Sequence, residues 1–180
     1  MTFTKECTVL NQDMVSRAIH KLEHLIKRNC RLTDTILVGI KTGGVHIAER
    51  IRAILAEQEG IHLPGGSLDI TLYRDDLSRI DYYPSVGPSS LPNVTDKIVV
   101  LIDDVLFTGR TVRAALTEIL DIGRPQRIYL AILVDRGHRE LPICPDFTGA
   151  TLTTEREENV QVYLKEFDAG NQDRVTLQSP

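Results

Sequence analysis

The stretch Val99-Val100-Leu101-Ile102-Asp103-Asp104-Val105-Leu106-Phe107-Thr108-Gly109-Arg110-Thr111 constrains this chain more than any other. Lys97 leads into an unbroken apolar run, Ile98 to Ile102, too short for a helix and rich in β-branched residues, and Lys97 to Ile102 is predicted as a strand buried on both faces of a parallel sheet. The run ends on two adjacent carboxylates. Like charges in a low-dielectric site repel and lose hydration, so the pair needs hydrogen-bond donors or a cation. Thr108-Gly109-Arg110-Thr111 then opens a helix predicted over about 110–122, closed by Gly123 and Pro125. Unpaired N–H groups and the positive dipole end at such a start favour an anion, threonine hydroxyls add donors, and glycine permits close approach. An acidic cap or a Thr-Gly turn is ordinary alone. In tandem behind a strand they form one composite: carboxylates suited to sugar hydroxyls or a Mg²⁺ shell, beside a cradle for a monophosphate.

The pattern recurs. Thr35-Ile36-Leu37-Val38-Gly39-Ile40 reads as a second buried strand, broken by Lys41-Thr42-Gly43-Gly44 and followed by helical spacing at Val45, Ala48, Ile51 and Leu55. Arg127 to Val134 reads as a third. Ser67 to Tyr73 alternates as a sheet edge would, and further strands are predicted from Asn159 to Phe167 and near Val175. An amphipathic helix capped by Asn11 or Asp13 is predicted to run to about Asn29, with Val15, Ala18, Ile19, Leu22, Leu25 and Ile26 on one face. Arg17, His20, Lys21, His24, Lys27, Arg28 and Arg31 share the other face. Strands alternating with helices predict an α/β fold, a mainly parallel twisted sheet flanked by helices. Ligands in such sheets sit beyond the carboxyl ends of the strands, so the turns after Ile40, Ile102 and Val134 are expected to line one crevice. Residues 74–93 carry Pro84, Pro88, Pro92 and Gly87 without a sustained period, the profile of a long functional or disordered loop.

At 180 residues, 42% hydrophobic and 26% charged, the chain is expected to form one globular domain, 1–180, and not a fibrous or disordered protein. A net charge of −4 argues against a surface that grips nucleic acid everywhere. Residues 1–31 nevertheless hold six Lys/Arg against three Asp/Glu, so the N-terminus is the basic part. Cys7, Cys30 and Cys144 form no CxxC pair, which predicts reduced thiols. The start MTFTKECTVL lacks a basic-then-apolar signal profile, and a cytoplasmic location is expected. No Walker A, GxGxxG or HExxH pattern occurs.

VVLIDDVLFTGRT resembles the phosphoribosyl-pyrophosphate (PRPP) signature of the phosphoribosyltransferase superfamily. VGIKTGGVHIAERI, LDITLYRDDLS, VRAAL followed by DIGRP, and LVDRGHRELPI are similar to the PyrR family of pyrimidine-operon attenuators and uracil phosphoribosyltransferases. The resemblance implies a phosphoribosyltransferase-type fold with a small hood, from about 135–180 with N-terminal contributions, and a flexible lid loop at about 74–94. It implies that Asp103 and Asp104 hold the ribose hydroxyls and that Val105, Leu106, Phe107, Thr108, Gly109, Arg110 and Thr111 hold the 5′-phosphate. Lys41, Thr42, Gly43 and Gly44 would face pyrophosphate. Mg²⁺ would be bound through PRPP, assisted by Asp103 and Asp104. Val134, Asp135, Arg136, Gly137 and His138 would receive uracil, and the lid beginning at Arg74, Asp75 and Asp76 would close over PRPP. Attenuator RNA would meet the N-terminal helix at Arg17 and His20, stabilised by UMP, and the family is usually dimeric or tetrameric.

Two departures from the family pattern bear on function. Many members carry KTRG where this chain has Gly43, so one charge-assisted donor to pyrophosphate is missing and weaker PRPP affinity or a substitute arginine is expected. After HRELPI, where the family often adds basic residues, the chain reads Cys144-Pro145-Asp146 and Gly149-Ala150-Thr151, a thinner cationic footprint. The leading expectation is the bifunctional pair, RNA attenuation plus uracil phosphoribosyl transfer. A uracil phosphoribosyltransferase without RNA binding, and a nucleotide-sensing RNA regulator with little catalysis, are the alternatives.

Overall fold

The computed structural model describes residues 5–70, 90–167, 170 and 172–180. Arg74, Asp75, Asp76 and most of the predicted lid lie outside these residues.

A five-stranded, all-parallel sheet forms the centre, in the order β3 (Gly65–Leu68), β2 (Thr35–Ile40), β4 (Ile98–Leu106), β5 (Arg127–Asp135), β6 (Phe147–Thr151). Side chains alternate across each strand, so both faces of a doubly covered sheet must be apolar. Leu37, Val100, Ile102, Ala131 and Leu133 pack with α1 (Gln12–Asn29) and α2 (Gly43–Glu59). Ile36, Val38, Val99, Leu101, Leu130 and Ile132 pack with α3 (Arg110–Ile122) on the other face. The continuous apolar runs of β2, β4 and β5 follow from this. A second, antiparallel sheet has the order β1 (Lys5–Leu10), β8 (Arg174–Ser179), β7 (Asn159–Tyr163). It sends Val160, Val162 and Val175 into the cluster that holds α1 and α2.

The helix ends follow local chemistry. The Asn11 side chain accepts the Met14 N–H at 3.0 Å and caps α1, and α2 stops at Gly60, whose φ of 66° suits glycine. Of the apolar face predicted for α1, Leu25 is only half-buried, while Glu23 joins the buried residues. Gly109 precedes α3 at φ 91°, a conformation that side-chain-bearing residues rarely adopt.

Several expectations are corrected. The acid pair does not end its strand: β4 continues through Asp103 and Asp104 to Leu106, because Val105 and Leu106 still pair with Val134 and Asp135 of β5. Of the strand expected from 67 to 73, residues 71–73 lie outside the described residues, and β3 is described over Gly65–Leu68, at the sheet edge. The strand expected over 159–167 stops at Tyr163, where pairing with β8 ends at Arg174. β1 and β6 were not anticipated.

Candidate active site

The carboxyl ends of β2, β3 and β4 open into a cleft of about 580 Å³. Lys41, Thr42 and Gly43 reach it from the turn after β2, Asp69 and Ile70 from the residues after β3, and Asp103, Asp104 and Val105 from β4. Thr111 of α3 and Gln161, Val162 and Phe167 complete the wall. The acid pair, the pyrophosphate turn and one residue of the phosphate turn therefore share one cavity.

Asp103 is 6% exposed; its Oδ1 accepts the Asp104 N–H at 3.0 Å, and Asp104 Oδ1 accepts the Val105 N–H at 2.8 Å. Burial, reinforced by the neighbouring Asp104 charge, pushes the Asp103 carboxyl well above its ordinary range, and burial also raises Asp104. Among the described residues no cation stands with the groups that perturb either carboxyl, and the two carboxyls also hydrogen-bond to each other. A buried acid beside a half-buried one, held by backbone donors and by each other, fits a divalent cation arriving with a ligand. No cluster of three or more His, Cys, Asp or Glu suited to a metal occurs among the described residues. The donor set therefore suits Mg²⁺ shared with substrate oxygens better than a cage made of protein alone.

The pyrophosphate turn is pressed onto this pair. A Cβ on Gly44 would lie under 3.0 Å from the Ile102 carbonyl oxygen of β4, and one on Gly43 would meet the Asp104 carboxylate as closely. Two consecutive glycines thus let the start of α2 rest against β4. The Lys41–Thr42 peptide is cis. Lys41 Nζ lies 3.6 Å from Asp69 Oδ2, and the N-cap residue Thr42 makes no side-chain cap bond to the start of α2, where Gly43 lines the cleft.

The second turn follows the end of β4. Val105 and Leu106 belong to β4, the Val105 amide is committed to Asp104, and the Leu106 side chain is buried in the core. Phe107, Thr108, Gly109, Arg110 and Thr111 remain at the uncapped start of α3. Arg110 places its Nε 2.8 Å from Glu140 Oε2, and Arg156 contacts the other oxygen, Oε1.

Val134 to His138 does not line the 580 Å³ cleft but stands beside the phosphate turn. Val134 is buried in β5. Arg136 is buried too: its guanidinium carbon lies 4.1 Å from the Phe107 ring centroid and its Nη2 donates to the Glu155 carbonyl at 2.8 Å. Gly137 and His138 both have positive φ, 76° and 58°, and His138 Nε2 lies 2.6 Å from the Thr154 carbonyl oxygen. Arg136 therefore builds the loop from behind, and Asp135 pairs with Arg139 at 2.6 Å.

Arg17 and His20 are exposed on α1. Arg17 borders a hollow of about 280 Å³ with Met14, Lys21 and Gly149, and His20 borders another of about 310 Å³ beside Arg50. The basic face is partly neutralised, since Lys27 pairs with Glu59 and Arg31 with Asp34. Asp69, Gln161, Phe167 and Arg139 were not singled out from sequence.

A family profile described as phosphoribosyl transferase domain matches residues 8–166. The Bifunctional protein PyrR of Chloroflexus aurantiacus is 54% identical over 165 residues, covering 91% of each chain. That of Thermus thermophilus is 50% identical over 171 residues, covering 94% of this chain and 93% of its own. A solved hypoxanthine-guanine phosphoribosyltransferase from Bacillus anthracis superposes with a TM-score of 0.64 at 13% identity, covering 86% of each chain, a likeness of fold. Signature, sheet order and overall identity agree: the chain belongs to the phosphoribosyl transferase domain family and, within it, to the bifunctional PyrR proteins.

Proposed function

We propose that this protein makes UMP and pyrophosphate from uracil and PRPP and, with UMP bound, attenuates pyrimidine-operon transcription by binding the operon mRNA. One observation carries the reading: the acid pair Asp103–Asp104 and the starts of α2 and α3, at Gly43 and Thr111, converge on one cleft. Membership among the bifunctional PyrR proteins supports both halves of it.

In this reading the amides of 107–111 hold the 5′-phosphate, as helix N-termini hold anions. Asp103 and Asp104 hold the ribose hydroxyls. The Lys41–Gly44 turn and the first amides of α2 take the pyrophosphate, and Val134 to His138 present uracil. Reaction breaks the C1′–oxygen bond, whose electron pair leaves with pyrophosphate, and forms the bond to uracil N1, whose proton passes to the departing pyrophosphate or to solvent. Positive charge grows at C1′ beside the two carboxylates, and negative charge grows on pyrophosphate beside Lys41 and the α2 amides, so each developing charge meets a fixed opposite one. Held by PRPP oxygens with help from Asp103 and Asp104, Mg²⁺ would supply further stabilisation of the leaving group. Orientation of N1 against C1′ contributes much of the rest.

RNA would lie along α1, where Arg17 and His20 are exposed. A cytoplasmic dimer or tetramer suits such a regulator. The test pairs turnover of uracil and PRPP with RNA retention, with and without UMP, over a salt series. Both activities are expected. Turnover without RNA retention rejects the regulatory half, and neither activity rejects the proposal. One feature favours a second reading, a regulator with little catalysis: at Gly43 the Asp104 carboxylate fills the space where a side chain would begin. RNA retention without turnover would select it.

A further inference from the structure

The turn after β4 and the turn after β5 are neighbours because their strands pair, with Leu106 opposite Asp135. One side chain ties them together. Arg139 Nη1 donates to the carbonyls of Phe107 and Gly137, each at 3.1 Å, and more weakly to that of Leu106 at 3.4 Å. Its Nη2 donates to Asp135 Oδ2 at 2.6 Å, and its Nε to the Ile143 carbonyl at 3.0 Å. The planar fork is thus spread over the phosphate turn, the base loop and the chain leaving it. Asp135 is fixed in turn, since its Oδ1 accepts the Gly137 N–H at 3.0 Å. The bonding runs both ways: the amides of Glu140 and Leu141 donate to the Thr108 carbonyl at 3.0 and 3.2 Å.

A lysine could not replace this arrangement, because a point charge on a flexible stem cannot hold several carbonyls in one plane. The Arg139 side chain is 20% exposed, and its bonds go to backbone and Asp135, not into the cleft. Its geometry concerns only the spacing of the two loops.

We infer that Arg139 is a positioning residue that sets the separation between the base subsite and the 5′-phosphate subsite, and so decides how well one nucleotide occupies both at once. The inference rests on the proposed function, which assigns 107–111 to phosphate and 134–138 to the base. A fragment that fills a single subsite is indifferent to the spacing. A whole nucleotide gains from being joined only if both loops stand at the separation its sugar imposes.

The experiment titrates uridine, ribose 5-phosphate and UMP against the wild type, Arg139→Lys and Asp135→Asn, with melting temperatures and steady-state kinetics alongside. In Arg139→Lys each fragment is expected to bind within about threefold of wild type while UMP weakens about 30-fold, since a misplacement of about 1 Å can cost up to about 100-fold. The same variant should lower kcat with little change in the KM for uracil. Asp135→Asn keeps an acceptor but loses the charge, and should give an intermediate loss for UMP alone. Equal losses for all three ligands, or an unchanged UMP affinity in both variants, would overturn the inference and leave the proposed function standing. Wild type that binds neither UMP nor the fragments would overturn both. Should Arg139→Lys fail to fold, the ratio of UMP loss to fragment loss in Asp135→Asn decides alone.

Discussion

Gly43 and Gly44 are adjacent, yet alanine should damage them to very different degrees. At Gly44 a new Cβ meets the Ile102 carbonyl oxygen under 3.0 Å, with the Ile102 carbonyl carbon at 3.0 Å and Asp103 Cα at 3.1 Å behind it. All three are backbone of the central strand, so nothing can rotate aside. Restoring ordinary contact requires the start of α2 to lift by about 1 Å. Overpacking of this kind costs about 2 kcal/mol. In a chain of this size that lowers Tm by about 4–8 °C. The same lift carries Thr42 and Gly43 away from Asp103 and Asp104, so turnover should fall about 100-fold. At Gly43 the obstacles are the Asp104 carboxylate, which can swing out, and the Asp104 Cβ at 2.9 Å, which needs only a slight shift. Gly43→Ala should leave Tm within about 2 °C of wild type. Its loss of turnover should stay within about tenfold. Calorimetric melting and initial rates with uracil and PRPP read both variants. A Gly44→Ala protein with native Tm and turnover, or a Gly43→Ala protein damaged as severely, would refute the packing argument.

Asp103, held above its ordinary range by burial and the Asp104 charge, binds its proton more tightly folded than unfolded, so it costs stability as pH rises from about 4 toward its raised value. Asp103→Asn should therefore gain in melting temperature over wild type progressively with pH while losing turnover; a pH-independent difference would contradict this. Three carboxylates, Asp69, Asp103 and Asp104, share the cleft with Lys41, and at ~5 Å and an effective dielectric of about 20 each added like charge costs about 3 kcal/mol. Chelating divalent cations should weaken PRPP binding about 100-fold by calorimetry and UMP binding less than about threefold, and equal losses would count against the placement of the acids. Burial pushes the Cys30 thiol up to about 11, whereas Cys7 and Cys144 are exposed, so a thiol reagent at pH 8 should modify two cysteines in the native protein and three after unfolding. Arg17→Ala should reduce the slope of log RNA affinity against log salt by about one without changing turnover, and an unchanged slope would place RNA elsewhere.

The parts of the fold that were legible from sequence are those whose signal is local. β2, β4 and β5 are covered on both faces, which forces continuous apolar runs, and α1 and α3 carry periodic faces with a capping Asn11 and a closing Gly123. β1 and β6 lack such signals. β1, KECTVL, is mostly exposed and is a strand because β8, at the far end of the chain, pairs with it. β6, FTGAT, is a short edge strand whose Gly149 reads as a turn residue. There a Cβ would lie 2.7 Å from the Leu133 carbonyl oxygen and 3.2 Å from the Ala18 Cβ, so glycine serves close packing between β5 and α1.

The site divides along the same line. Two carboxylates inside an apolar strand, paired glycines at a helix start and Thr-Gly before another helix each violate what a stable element would choose, and a violation needs a reason that function supplies. Those residues could be found by reading the chain. Asp69, Phe167 and Arg139 violate nothing locally, since an acid after a short strand, an aromatic between two paired strands and an arginine in a polar loop are all ordinary. Their importance arises from pairings the chain order conceals: Asp69 reaches Lys41 because β3 lies beside β2, and Arg139 reaches Phe107 because β5 lies beside β4. Groups that bear the chemical load sit in strained or costly positions and stand out in sequence. Those that hold them in register become visible only once the strand order is known, and a variant that spares every signature residue can still uncouple the site.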